Sequence, residues 1–228
     1  MQKQSVLIGA VCLIIGLAIG FFTANSINRN ALIQQPITQN QPNAPFINQP
    51  VNAQNQPGGM LSDVQGKLEK ANNEPENFAA QMNAGDLYAQ IGRYDKAFEF
   101  YERGVKLDPN NFQANVQLAN AYFDSRQFEN AEKYYSKALE INPKDVNART
   151  DLGTTFVERQ NPDYQRAIKE FQTVLEINPN HEPTLYNLGV AHYRMGDAEN
   201  AQKILSRLEQ VNANSPLAGR LRQVISPK

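Results

Sequence analysis

The chain has 228 residues, of which 41% are hydrophobic, and its formal net charge is −1. This length accommodates one domain of ordinary size together with additional segments. The near-neutral charge argues against a nucleic-acid partner, because affinity for nucleic acid rests largely on clustered Lys and Arg that neutralise phosphates. The single cysteine, Cys12, lies in an apolar run, which excludes an intrachain disulfide and a cysteine-based zinc cluster.

The first predicted element is a transmembrane helix over residues 6–24, which follows a short tail of residues 1–5. Its sequence, VLIGAVCLIIGLAIGFFTA, contains no charged residue, and at 1.5 Å per residue it nearly spans a hydrocarbon core of roughly 30 Å. A cleaved signal peptide is the alternative, but its apolar stretch is usually about 7 to 15 residues and small residues precede its cleavage site. Phe22 stands where such a small residue is required, so we expect an uncleaved anchor.

The charges that flank the predicted membrane helix favour one orientation. Lys3 and the terminal amine precede it, whereas only Arg29 follows in the next segment. Because positive charge is concentrated on the cytoplasmic side, we expect a single-pass protein of the bacterial inner membrane with the bulk of the chain in the periplasm. Gly16 and Gly20 form a GxxxG step. This step either supports weak homodimerisation through the membrane helix or reflects the ordinary frequency of Gly in such helices.

Residues 25–59 are predicted to form a disordered linker. The segment is rich in Asn, Gln and Pro, with almost no charge and no apolar periodicity. It cannot bury enough apolar surface to offset the entropy lost on ordering. A flexible chain of this length has an end-to-end distance of roughly 30 Å, so the linker holds the following domain near the membrane without fixing it there.

The remainder of the chain is dominated by an internal repeat. Pro75, Pro109, Pro143 and Pro179 are separated by 34, 34 and 36 residues. Three other columns keep the same spacing: small residues at Gly85, Ala119, Gly153 and Gly189, alanines at Ala97, Ala131, Ala167 and Ala201, and large apolar residues at Tyr101, Tyr135, Phe171 and Leu205. The two extra residues of the third unit fall in the loop-like sequence RQNPDYQ. A fixed period of this length predicts a repeat architecture.

Each unit is predicted to contain two short amphipathic helices, because apolar residues occur at helical spacing twice in each unit. In the second unit, Leu118 and Tyr122 belong to the first helix, and Tyr134 and Ala138 belong to the second. The small column allows the two helices to approach closely. The prolines end the second helix, since proline has no amide donor and disfavours helical geometry in the preceding residue.

This combination of columns resembles the tetratricopeptide-repeat family, a helix-turn-helix repeat. The resemblance implies an all-α, right-handed superhelical solenoid of about four repeats. These repeats cover residues 78–111, 112–145, 146–181 and 182–215, between an N-terminal capping helix in 60–77 and a C-terminal one in 216–228. The chain departs from the family pattern at Gln81, where a large aromatic is common, and at Ala213, which replaces the fourth proline. Such departures are expected in terminal repeats, which must present a polar outer face.

The resemblance also implies that the first helix of every repeat lines a concave groove, which suits an extended peptide or a partner helix held by aromatic anchors. The residues predicted to line it are Met82, Asp86, Val116, Asn120, Phe123, Asp124, Thr150, Thr154, Tyr186, Val190, Tyr193 and Arg194. For Phe123, Tyr186 and Tyr193, packing between repeats is the alternative. The Lys, Asn and Arg pattern with which some family members grip chaperone tails is not reproduced, so we do not expect chaperone-tail binding.

An enzyme would require a catalytic constellation, and the sequence offers none. The two histidines, His181 and His192, fall in an inter-repeat turn and a core column, and carboxylates show no clustering that suggests a metal or a nucleophile. We therefore expect no cofactor and no enzyme, but a membrane-anchored scaffold whose partners are proteins or peptides. The alternative is a specialised assembly factor for an envelope complex, such as cytochrome c maturation, pilus or secretion machinery. The groove sequence does not choose between the two.

Overall fold

The computed structural model describes residues 57–226. This part of the chain is all-helical. Its helices are α1 (Pro57–Asn73), α2 (Phe78–Gln90), α3 (Tyr94–Leu107), α4 (Phe112–Asp124), α5 (Phe128–Ile141), α6 (Val146–Glu158), α7 (Tyr164–Ile177), α8 (Glu182–Arg194), α9 (Ala198–Val211) and α10 (Pro216–Ile225). The predicted membrane helix of residues 6–24 and nearly all of the predicted linker lie outside this range. Among the helices of residues 57–226, none combines the length and the apolar character that a membrane span requires.

The first helix of each repeat begins at a polar residue two positions after the proline column. The side chains of Asn77, Asn111 and Asp145 each accept a hydrogen bond from the backbone N–H three residues later, at 3.0, 3.0 and 2.8 Å. These bonds satisfy a backbone donor that has no partner within the helix. His181 has the same position before α8, and its Nδ1 lies 2.7 Å from Thr184 Oγ1. The proline column therefore ends one repeat, and the residue two positions on starts the next.

Consecutive helices supply most of the packing. The two helices of each repeat pack together, and the second helix of each repeat packs on the first helix of the next. Further contacts join α6 to α8 and α8 to α10, which are first helices in the same row. Contacts within a repeat and between adjacent repeats are the arrangement of a solenoid, and the predicted all-helical repeat fold is confirmed.

The small column allows close helix packing, as predicted. A Cβ atom at Gly85 would lie 2.5 Å from the Tyr101 ring, and one at Gly153 would lie 2.5 Å from the Phe171 ring. The fourth repeat differs, because the atoms nearest to Gly189 belong to Leu221 of α10, also at 2.5 Å. In that repeat the glycine makes room for the following helix, since α10 packs against α8.

The two ends of the solenoid are covered by single helices. α1 begins at Pro57, three residues before the predicted boundary, because proline is well suited to the first position of a helix. Its Leu68 and Ala71 pack against a cluster that includes Ala84 and Phe100. At the other end, α10 buries Ala218 and Leu221.

The turn inside the third repeat accommodates its two additional residues. In the other three repeats this turn contains one residue with positive φ: Gly92 at 71°, Arg126 at 63° and Gly196 at 92°. The longer turn of the third repeat keeps the hydrogen bond that closes the others: the backbone N–H of Asp163 donates to the carbonyl of Phe156, as that of Gln127 donates to Tyr122. The Asp163 side chain accepts from the N–H of Arg166 at the start of α7. The longer loop thus returns the chain to the repeat pattern.

Candidate protein-binding face

The twelve residues predicted to line the groove lie on the first helices α2, α4, α6 and α8, and we call this set the candidate face. Within one helix they recur at intervals of three, four and seven residues, which places them on one side. Their burial differs widely. The side chains of Met82, Phe123, Thr150, Thr154 and Val190 are buried, those of Asp86, Val116, Asn120, Asp124 and Tyr186 are half-buried, and those of Tyr193 and Arg194 are exposed.

The five buried members belong to the core and leave little surface for a partner. Phe123 is 5% exposed and packs edge-on against Phe128, with 5.5 Å between ring centroids. Met82 places its sulfur against Gly104 of the paired helix. For Phe123, the alternative of packing within the solenoid is therefore the one that the structure favours.

Asp86 and Asn120 accept hydrogen bonds from tyrosines of the second helices. The hydroxyl of Tyr101 donates to Asp86 Oδ1 and the hydroxyl of Tyr135 donates to Asn120 Oδ1, each at 2.5 Å. Asp86 also accepts from Gln117 Nε2 at 2.9 Å. Burial raises the pKa of Asp86, and the hydrogen bond from Tyr101 opposes this rise. Both polar groups therefore hold neighbouring helices together.

Side-chain hydrogen bonds also join neighbouring first helices in the second half of the solenoid. Thr150 and Thr184 lie 2.6 Å apart through their hydroxyl oxygens, and Asn187 Nδ2 donates to Thr154 Oγ1 at 3.1 Å. Because Thr150 Oγ1 also lies 2.7 Å from the carbonyl of Val146, it donates there and accepts from Thr184. These hydrogen bonds thus connect the candidate face of repeat 3 to that of repeat 4.

The most exposed part of the candidate face lies on α8. Tyr193 is 37% exposed, and Arg194 pairs with Glu158 of α6 at 2.5 Å. Tyr186 lies two turns earlier on the same side and is half-buried. Burial raises the pKa of Tyr186, whereas Arg220 and Arg194 lower it and Glu158 raises it. Tyr186 and Tyr193 therefore form an aromatic surface next to the charged pair of Arg194 and Glu158.

Tetratricopeptide-repeat family models match residues 92–150 and 158–225, and a second model of the same description matches residues 66–112. The matched segments of the first model alone cover more than half of the chain. The chain belongs to the tetratricopeptide-repeat family. A comparison with curated proteins found no significant match.

Solved structures support the same fold. The chain is similar to a crystal structure of MamA, with 20% identity, a TM-score of 0.62 and coverage of 68% of this chain and 90% of that one. It is also similar to MamA 41-end from Desulfovibrio magneticus RS-1, with 19% identity, a TM-score of 0.62 and coverage of 70% and 89%. A third similar structure is TTC0263, a thermophilic TPR protein in Thermus thermophilus, with 18% identity, a TM-score of 0.54 and coverage of 66% of this chain and 84% of that one. At these identities, the likeness concerns the fold.

One set of tetratricopeptide-repeat residues was missed by the sequence reasoning. Gln81, Asn115 and Arg149 form a column spaced by 34 residues, of which only Gln81 was noticed, as a departure from the family pattern. Gln81 Nε2 donates to the carbonyls of Ala71 and Glu74 at 2.7 and 3.1 Å. Asn115 and Arg149 donate to proline carbonyls of the preceding turn, at 3.1 and 2.8 Å. The regular spacing of long polar donors was the available signal, and their role is to fasten the inter-repeat turns.

The two histidines occupy structural positions. Burial lowers the pKa of His181, and Asp145 opposes that shift. Nδ1 of His192 lies 3.1 Å from Asp197 Oδ2. In the part of the chain that the structure covers, no three His, Cys, Asp or Glu side chains are grouped so as to hold a metal ion.

Proposed function

We propose that this chain is a membrane-anchored scaffold that binds a peptide or a partner protein through the candidate face. The observation that carries the proposal is the surface of α8, where the exposed Tyr193 adjoins Arg194. Tyrosine and arginine dominate the binding energy of many protein interfaces, because each presents a large contact area with polar groups at its end.

The surrounding contacts favour a preformed binding surface. Tyr186 is half-buried, and Arg194 is held by its ion pair with Glu158. The hydrogen bond between the hydroxyls of Thr150 and Thr184 fixes α8 against α6. A surface that is ordered before binding loses less entropy when a partner arrives.

The anchoring part of the proposal rests on sequence. Residues 6–24 are apolar and uncharged, and the flanking Lys3 favours a cytoplasmic N-terminus with the repeats in the periplasm. Protease added to spheroplasts is then expected to remove the repeats, while the mature protein retains residues 1–24. Protection of the repeats would reverse the orientation, and a mature N-terminus near Asn25 would indicate a secreted protein.

Binding is tested by comparing Tyr193→Ala with Ile177→Ala in the full chain. Ile177 is 45% exposed and belongs to the second helix α7, so its truncation removes a similar exposed apolar group away from the candidate face. Partners captured by crosslinking in native cells are identified first, and the affinity of a purified partner is then measured for each variant. We expect Tyr193→Ala to weaken binding by about 2 kcal/mol with unchanged circular dichroism. Equal affinity of both variants would contradict the proposal.

The double variant Tyr186→Ala with Tyr193→Ala separates binding from packing. If both side chains serve recognition, helical content stays nearly intact while capture falls further. Collapse of the fold would assign Tyr186 to the core, and Tyr193→Ala alone would then carry the test. A stable fold with undiminished capture would place recognition outside the candidate face.

A further inference from the structure

Asp86 presents one free carboxylate oxygen on the candidate face. Both hydrogen bonds that reach this carboxylate end at Oδ1, from the Tyr101 hydroxyl at 2.5 Å and from Gln117 Nε2 at 2.9 Å. Within residues 57–226, Oδ2 accepts no hydrogen bond and forms no ion pair. Because Asp86 is half-buried and its Oδ2 is accessible to solvent, this oxygen can accept from a donor outside the chain.

The negative charge of Asp86 is not needed for the packing of its repeat. In repeat 2 the same position holds Asn120, whose neutral Oδ1 accepts from the Tyr135 hydroxyl, also at 2.5 Å. A neutral amide therefore satisfies a tyrosine hydroxyl here as a carboxylate does. The charge costs stability, because Asp86 is half-buried and no cation of the described residues pairs with it. A charge that is kept at such a cost indicates a functional role.

The acceptors around Asp86 suit an ammonium or guanidinium group. Gln117 uses its Nε2 to donate to Asp86, and its Oε1 accepts no hydrogen bond within the part of the chain that the structure describes. Asp86 Oδ2 and Gln117 Oε1 therefore belong to one site that still lacks a donor. A metal ion would need further ligands, and no three His, Cys, Asp or Glu side chains of the described residues are grouped to supply them.

We propose that Asp86, together with Gln117, binds the side chain of a lysine or arginine in an extended peptide segment of a partner. The inference rests on the proposed function, because it names a residue that the same face recognises. A hydrogen bond from a cation to a carboxylate is roughly twice as strong as a neutral one, and partial burial reduces its screening by salt. The bound cation supplies the countercharge that the described residues do not.

This site lies at the opposite end of the candidate face from Tyr193. Asp86 is in repeat 1 and Tyr193 is in repeat 4. Packed helices lie about 8–10 Å apart and an extended chain advances about 3.3 Å per residue, so a peptide that contacts both residues needs roughly eight residues between its two anchors. The exposed Tyr193 then supplies most of the affinity, and Asp86 fixes the direction in which the peptide lies.

The test uses the full chain in detergent micelles and a random peptide library displayed on phage, with peptides longer than this span. We expect the selected peptides to be enriched in Lys or Arg. A synthetic version of the strongest binder is then compared with a second peptide in which norleucine replaces the basic residue, which keeps an aliphatic chain and removes the charge. Fluorescence anisotropy is expected to show about tenfold weaker binding of the norleucine peptide.

The variant Asp86→Asn assigns the effect to the carboxylate. It keeps the oxygen that accepts from Tyr101, so its circular dichroism is expected to be unchanged. We expect it to weaken binding of the basic peptide about tenfold and to leave binding of the norleucine peptide unchanged. A purely structural role of Asp86 would weaken binding of both peptides equally. Asp95→Asn is the matched control, since Asp95 is exposed in the same repeat and pairs with Arg93, and no change is expected.

The contrary outcomes are distinct. Selected peptides without a basic residue, or equal effects of Asp86→Asn and Asp95→Asn, would overturn the cation site and leave the proposed peptide binding intact. A folded chain that selects no peptide would overturn both. Binding that responds to Asp86→Asn but not to Tyr193→Ala would support the cation site and contradict the aromatic anchor of the proposed function. Self-association in sedimentation experiments that Asp86→Asn abolishes would identify a second copy of this chain as the occupant and would overturn the inference.

Discussion

The first two repeats and the last two use the same position of the first helix in different ways. In repeats 1 and 2, Asp86 and Asn120 accept hydrogen bonds from the hydroxyls of Tyr101 and Tyr135. The corresponding pairs in repeats 3 and 4 are Thr154 with Phe171 and Val190 with Leu205. An oxygen acceptor therefore stands opposite each tyrosine hydroxyl. Where the tyrosine is replaced, Thr154 donates to the carbonyl of Thr150, and Val190 has no polar group.

A polar residue in the column formed by Asp86, Asn120, Thr154 and Val190 is therefore not by itself evidence of binding. The polarity of Asp86 and Asn120 follows from the partner hydroxyl, which would otherwise be buried without an acceptor. The exposed members of the candidate face, Tyr193 and Arg194, lie in the fourth repeat, where the column is apolar. The capacity for recognition is therefore expected to be concentrated toward the C-terminal end.

The largest effect is expected from Gly153→Leu, which tests the helix packing in repeat 3. Even a Cβ atom at this position lies 2.5 Å from the Phe171 ring, so a leucine forces the paired helices apart. The free energy of unfolding is expected to fall by about 3 kcal/mol or more, measured by thermal denaturation followed by circular dichroism. Gly219→Ala is the control, because a Cβ atom there meets no atom within 4 Å. An unchanged melting temperature for Gly153→Leu would show that the helix register is wrong.

A smaller effect is expected from Tyr135→Phe, which gives repeat 2 the residue type that Phe171 supplies at this position in repeat 3. The change leaves Asn120 Oδ1 without its donor, so stability is expected to decrease by about 1 kcal/mol. Adding Asn120→Val should restore part of this loss, because both partners are then apolar, as Val190 and Leu205 are. Urea denaturation of the single and double variants completes the cycle. Strict additivity of the two changes would contradict the pairing.

Asp86→Asn tests the charged member of the pairs and makes repeat 1 resemble repeat 2. Because burial raises the pKa of Asp86, the folded chain binds a proton here more tightly than the unfolded chain. The stability that this group contributes is therefore lost as the pH rises through the raised pKa. We expect the variant to be more stable than the natural chain at pH 7 by less than about 1 kcal/mol, since a half-exposed charge is screened by water.

The advantage of Asp86→Asn is expected to disappear below about pH 3, where the carboxyl is protonated in both states. Urea denaturation at several pH values measures the difference. Asn retains the oxygen that accepts from Tyr101 and Gln117, as Asn120 does for Tyr135. A natural chain that is more stable than the variant at pH 7 would assign a favourable role to the charge.

The smallest effect is expected from Arg126→Gly, in the turn of repeat 2. Arg126 has a φ of 63°, where repeats 1 and 4 place Gly92 and Gly196. The left-handed conformation disfavours a side chain, but glycine also increases the entropy of the unfolded chain, so a net gain of about 0.5 kcal/mol is expected. Gly92→Ala is expected to be destabilising by about 1 kcal/mol. Calorimetry that shows a loss of stability for Arg126→Gly and a gain for Gly92→Ala would contradict the shared turn geometry.

The fold could be predicted because its signals repeat. Proline, alanine and small columns each occur four times in step, and the tight contact at Gly153 follows directly from them. The surface could be predicted less well, because exposure depends on neighbours in the next helix. Phe123 and Tyr193 belong to the same position of their repeats, yet Phe123 packs against Phe128 whereas Tyr193 is exposed.

The packing of the C-terminal helix on the fourth repeat was also out of reach of the sequence reasoning. This helix was expected only to cap the solenoid. In the structure its Leu221 fills the space next to Gly189 of α8. Such a relation between two helices has no counterpart in the columns of a single repeat.

The most direct test of the central claim is site-specific photocrosslinking in native cells. The photoreactive residue p-benzoylphenylalanine replaces Tyr193 in one variant and Ile177 in another, each in the full chain. If the candidate face binds the partner, irradiation is expected to yield a discrete protein adduct from the position of Tyr193 and none from the position of Ile177. Adducts from the position of Ile177 alone would contradict the account and place recognition on the second helices.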